Sequence, residues 1–119
     1  MFPGTQQASF YPPIRRSLLD IARWVCGRRI RFLVTGDSMH PTLKHDHSVL
    51  VDTTSSPSVG NIVVLYHPQN AKMVLIKRCM NITEKDLWVE GDNPEHSTDS
   101  RHFGWVSRNS YIGRVSSFL

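Results

Sequence analysis

The sequence predicts a mostly β, antiparallel domain with one amphipathic helix near its N-terminus. Three observations predict it. After Arg31 the apolar residues fall in short runs rich in Val, Ile and Leu. Each run is bounded by a stretch of turn composition, and the body of the chain shows no sustained helical period. With 119 residues the chain is long enough for one domain with a modest core and too short for two.

The elements follow in order. Residues 1–13, "MFPGTQQASFYPP", hold three prolines and no period, and read as a flexible lead-in. Over 14–27 the pattern changes. Ile14, Leu18, Ile21, Ala22 and Val25 share one helical face, Arg16, Asp20 and Arg23 lie opposite, and Gly27 supplies a stop. This basic amphipathic helix is read as docked on the domain, with contact at a membrane surface as the alternative. The core, 28–119, contributes strands at 29–34, 48–52, 61–67, 72–80, 86–90 and 110–116. Between them lie "TTSSPSVG", "PQNA", "NITEK" and "GDNPEHSTDSRHFG", and the local spacing favours antiparallel pairing. The segment 91–104 is long and poor in apolar residues, which in a compact domain marks a functional or disordered loop.

Bulk properties exclude several classes. The net charge of +4 is carried by the first 31 residues, where six arginines face Asp20, while the remainder is close to neutral. A nucleic-acid-binding body is therefore not expected. No apolar run approaches the roughly 18–20 residues needed to span a bilayer, and no secretion signal is read. Cys26 and Cys79 have no metal or disulfide spacing and are expected as free, buried thiols, consistent with a cytoplasmic chain.

Three stretches carry chemistry. In "VTGDSMHPTLKHD", Gly36 permits a bend, Asp37 and Ser38 follow it, Met39 offers an apolar wall and Pro41 fixes the outgoing chain. A serine becomes a nucleophile when a base takes its proton and donors await the oxyanion. Taken alone, a turn serine is more often a helix cap. In "MVLIKRCM", Lys77 shares a strand face with Met73, Leu75 and Cys79. Desolvation there favours the neutral amine, which can act as a base near neutral pH, whereas most strand lysines simply reach into water. In "EGDNPEHSTDSRHFGWV", residues 90–106, the groups Asp92, Asn93, Ser97, Asp99, Ser100 and Arg101 can build a hydrogen-bonded loop stiffened by an Asp99–Arg101 pair. Trp88, Phe103 and Trp105 flank it as anchors.

Together, "GDSMHPTL", "VLIKRC" and "GDNPEHSTDSRHFGWV" resemble the type I signal peptidase family of serine–lysine endopeptidases, over residues 32 to 115. The resemblance implies the antiparallel β-fold shared by signal peptidases and self-cleaving repressors. It implies Ser38 as nucleophile, Lys77 as general base and Ser97 as the hydroxyl that orients the lysine. Asp99 and Arg101 then match the pair behind the site, and Gly91, Asp92 and Asn93 the supporting loop. The Ser38 main-chain N–H is implied as an oxyanion donor, and Gly36 stands where some members carry a hydroxyl donor. No cofactor is implied. Only residues 81–89 separate the lysine strand from the last motif, where many members carry a large extra β-domain, and no spanning helix is read. Such short forms resemble nickel-type superoxide dismutase maturation peptidases, whose partner is a precursor with an N-terminal leader. General processing at a membrane, or a peptide-binding β-domain without catalysis, are the alternatives. A repressor-like chain would also need a helix-turn-helix, for which 31 leading residues leave no room.

His40, His45, Asp46 and His47 are close in sequence and raise a metal reading, but neither an H-E-x-x-H motif nor a cysteine pair accompanies them, and none is assigned. A Ser38/His/Asp triad would leave Lys77 unexplained.

Overall fold

Runs such as Ile62-Val63-Val64-Leu65 are apolar at every position, which suits a strand covered on both faces. The computed structural model, which describes residues 7–10 and 29–119, bears this out. Among the described residues, eight strands form one antiparallel sheet: β1 (Gln7–Phe10), β2 (Arg29–Thr35), β3 (Ser48–Asp52), β4 (Ile62–His67), β5 (Asn70–Ile82), β6 (Asp86–Glu90), β7 (Val106–Ser107) and β8 (Tyr111–Phe118). Their order is β1-β2-β3-β8-β4-β5-β6-β7, and a further β1–β5 pairing closes six of them into a ring. β6 and β7 extend outward from β5. The strand β5 is long because it serves two neighbours: residues 70–78 pair with β4, and 78–82 pair with β6.

Two cores result, divided by the β4–β5 ribbon. Ile62, Val64 and Ile76 face one cluster with Phe32, Val34, Met39, Leu43, Val49 and Val51. Their alternate neighbours Val63, Leu65, Leu75 and Cys79 face the other, with Met73, Leu87, Val89 and Val106. The period of two along β5 therefore sends Lys77 into the second cluster. Cys79 is buried and free, and Cys26 lies outside the described residues.

The six expected strands are present with shifts of one or two residues at some ends. β1 and β7 were not expected. The stretch 1–13 was read as a lead-in, yet Gln7–Phe10 pair with Thr35–Phe32, and Gln7 also pairs with Leu75. Backbone pairing with two strands needs no side-chain period, so the pattern did not reveal it. The helix expected over 14–27 lies outside the described residues. Among the described residues, no helix is long and apolar enough to cross a membrane.

Candidate active site

β2 ends at Thr35, and the chain then bends through Gly36, whose φ of 85° lies in the left-handed region that glycine adopts without steric penalty. One helical turn follows, with Leu43 N–H donating to Met39 O at 2.9 Å. Ser38 sits at the start of this turn and is fully buried. β5 brings Lys77, also fully buried, against it from 39 residues away. Lys77 Nζ lies 2.8 Å from Ser38 Oγ and 3.2 Å from Ser97 Oγ, hydrogen-bonded to both.

The loop after β6 supplies what lies behind the lysine. Ser97 Oγ donates to Asp99 Oδ2 at 2.6 Å. Asp99 in turn accepts from Arg101 twice, Nε to Oδ1 at 2.9 Å and Nη2 to Oδ2 at 2.6 Å, so the pair is bidentate. It also accepts from Gly91 N–H at 2.8 Å, and it caps the short helix Ser100–Phe103 through Arg101 N–H at 3.1 Å. Ser100 is buried and accepts from Val89 N–H at 2.9 Å, which ties that helix to β6. Gly91 must be glycine for want of space: a Cβ there would meet Ser97 Oγ, and would lie 2.7 Å from Ser38 O.

A second set of contacts holds the serine turn from the other side. Asn93 donates its N–H to Ser38 O at 2.8 Å and its Nδ2–H to Asp37 O at 3.0 Å. Asp92 accepts from Thr42 Oγ1 at 2.6 Å and from both Arg78 Nε (2.9 Å) and Nη2 (2.7 Å). Arg78 Nη1 donates further to Gly60 O at 2.7 Å. Thr42, Arg78 and Gly60 were not singled out from the sequence. The cue for Arg78 was its place beside Lys77 on a strand with apolar residues on both faces, which demands a partner for each cation.

Electrostatics follow from this packing. Burial pushes the Lys77 ammonium down to about 7; the Asp99 charge works in the opposite direction and Arg101 adds to the fall. Burial alone would raise Asp99, but the Arg101 guanidinium, the Gly91 N–H and the Ser97 hydroxyl outweigh it and hold the carboxyl well below the usual carboxylate range. Burial thus brings the neutral amine of Lys77 within reach near neutral pH, in contact with a hydroxyl and with an anion behind it.

Met39, expected as a pocket wall, is fully buried in this conformation, as Ser38 and Lys77 are; it lies in the first apolar cluster, and its sulfur accepts from Asp92 N–H at 3.4 Å. The helical turn after Ser38 rotates the side chain inward, so it braces the loop from within the core. Pro41 lies exposed on the outer side of the same turn. The Gly36 N–H is directed to His45 Nδ1 at 2.9 Å. Among the described residues, no three His, Cys, Asp or Glu side chains gather to hold a metal ion.

Comparison with known proteins gives a consistent result. The Peptidase S24-like family profile matches residues 17–115. The chain is 28% identical to mitochondrial inner membrane protease subunit 2 of Schizosaccharomyces pombe, over 98% of this chain and 83% of that protein. It is 31% identical to subunit 2 from Danio rerio, over 90% of this chain and 69% of the relative. Against subunit 1 from Xenopus tropicalis the identity is 29%, over 70% of this chain and 64% of that protein.

Proposed function

The chain belongs to the Peptidase S24-like family, and from that premise we propose that it is a serine endopeptidase in which Ser38 is the nucleophile and Lys77 the general base. The observation that carries the proposal is the 2.8 Å contact between Ser38 Oγ and the amine of a fully buried lysine. Neutral Lys77 takes the hydroxyl proton as Ser38 Oγ attacks the scissile carbonyl carbon. The tetrahedral oxyanion is met by main-chain donors at the turn, the Ser38 N–H among them. As the C–N bond breaks, the Lys77 ammonium returns its proton to the leaving amine, and the acyl group stays on Ser38. Lys77 then takes a proton from water as the water oxygen attacks the acyl carbon, and returns that proton to Ser38 Oγ as the ester bond breaks and the acid leaves. Ser97 fixes the direction of the lysine lone pair, and Asp99, itself clamped by Arg101 and Gly91, fixes Ser97.

The substrate is a precursor protein whose N-terminal leader is removed. An extended segment pairs at a strand edge beside the dyad, where main-chain hydrogen bonds provide affinity and side-chain pockets provide choice. Ser38 and Lys77 have no exposed surface in this conformation, so binding has to uncover them. The named relatives are membrane protease subunits, which favours processing at a membrane surface. Maturation of nickel-type superoxide dismutase is the narrower reading of the same chemistry.

The test is incubation of the purified protein with two leader-bearing precursors, a nickel superoxide dismutase precursor and a membrane-targeted precursor, with intact-mass readout. Cleavage by the wild type and by neither Ser38→Ala nor Lys77→Ala supports the dyad, and the precursor that is cut identifies the substrate class. Cleavage by either variant at the wild-type rate refutes the dyad. Binding of both precursors without cleavage favours a peptide-binding domain.

A further inference from the structure

We propose that His45 is a positioning residue for the nucleophile turn: its neutral imidazole accepts the Gly36 N–H and pins the bend from which Ser38 projects. The inference rests on the serine–lysine reading and concerns a residue which that reading does not use. In an antiparallel pair, alternate N–H groups of one strand point to the same edge. On this edge of β2 the Val34 N–H donates to His47 O at 2.8 Å, and Val34 O accepts from Asp46 N–H at 2.8 Å. The next N–H in that direction belongs to Gly36, and the backbone of 44–47 has already turned away. His47 N–H bonds back to Lys44 O at 3.1 Å, and Asp46 adopts a φ of 69°. The rung is completed by a side chain instead, His45 Nδ1 at 2.9 Å.

That contact requires a particular tautomer. Nδ1 accepts only when the ring proton is on Nε2, and Nε2 lies 3.3 Å from Asp46 Oδ1 on the exposed side of the loop. The histidine side chain is 56% exposed, so it contributes little to the core, and its replacement leaves both apolar clusters intact. Gly36 is two residues from Ser38 and has access to much of backbone space, so this bend is where the Ser38 Oγ position is most easily lost.

The experiment compares the wild type with His45→Ala and His45→Asn, whose side-chain carbonyl can replace Nδ1 as acceptor. Two readouts are taken: hydrogen exchange of the Gly36 amide by NMR, and kcat and KM on a precursor cleaved in a Ser38-dependent manner. The expected result is Gly36 exchange about tenfold faster in His45→Ala, with kcat lowered about tenfold and KM little changed, and both recovering in His45→Asn. Unchanged Gly36 exchange in His45→Ala overturns the proposal, as does faster exchange with unchanged kcat. Equal damage by Asn and Ala overturns the acceptor role. If the wild type shows no Ser38-dependent cleavage, the peptidase reading fails and takes the catalytic role with it, while the exchange data separately report whether His45 holds Gly36.

Discussion

Replacing Asp99 by Asn removes the negative charge behind Lys77 while keeping the side chain's shape. Asp99 reaches the lysine through Ser97, along hydrogen bonds of 2.6 and 3.2 Å, so the two charges stand roughly 5 Å apart. At the effective dielectric of about 20 that suits such sites, this attraction is worth about 3 kcal/mol, or about two pKa units. Solvent entering around the weakened loop reduces the effect, so a fall of one to two units is expected. The sign is fixed by the geometry: Asp99 favours the ammonium, and its loss moves Lys77 further below about 7. The assay is kcat/KM for leader cleavage between about pH 5 and pH 9. Wild type should gain activity as pH rises through about 7, and Asp99→Asn should show the same limb at lower pH with a reduced plateau. Arg101→Gln removes a cation that opposes the ammonium and should shift the limb upward. With the Arg101 side chain one-third exposed, the expected shift is smaller, about half a unit. A midpoint that stays in place in both variants, or that rises in Asp99→Asn, would refute the electrostatic reasoning.

Further predictions concern stability and turnover. Lys77 binds its proton at 10.5 when solvated and at about 7 when folded, so the buried amine destabilises the fold fully below pH 7 and progressively less up to pH 10.5. Lys77→Met should therefore be inactive yet more stable than wild type by up to about 4 kcal/mol in urea melts below pH 7, and that gap should close toward pH 10. Gly91→Ala should lower stability by about 2–3 kcal/mol and abolish cleavage, because its Cβ meets Ser97 and the Ser38 carbonyl; an unchanged melting temperature would contradict the crowding. Ser97→Ala should reduce kcat about tenfold or more with little change in KM, and Ser97→Thr should restore part of it, measured by steady-state cleavage. Asp92→Asn weakens two contacts to Arg78 and one to Thr42, and should cost about 1–3 kcal/mol by denaturant titration.

Much of this was legible because strand patterning is local. The run of residues 72–80 revealed a strand, and a period of two put Lys77 with Met73, Leu75 and Cys79, as observed. The Asp99–Arg101 pair was legible because the partners are two residues apart. The Arg78–Asp92–Thr42 link was not, since it joins three segments by hydrogen bonds and leaves no periodic trace. The packing of Met39 was not legible, because an apolar residue beside a turn serine suits a pocket and a core equally, and the rotation of the turn places it in the first apolar cluster. β1 escaped because its four residues are specified by the free edges they meet at Thr35 and Leu75.

The loop that follows β6 carries two carboxylates with different attachments. Asp99 holds the lysine side of the site through Ser97, and Asp92 joins the serine turn to β5 through Thr42 and Arg78. The one loop therefore fastens both halves of the site, so a change in its length or path moves the serine turn and the lysine together.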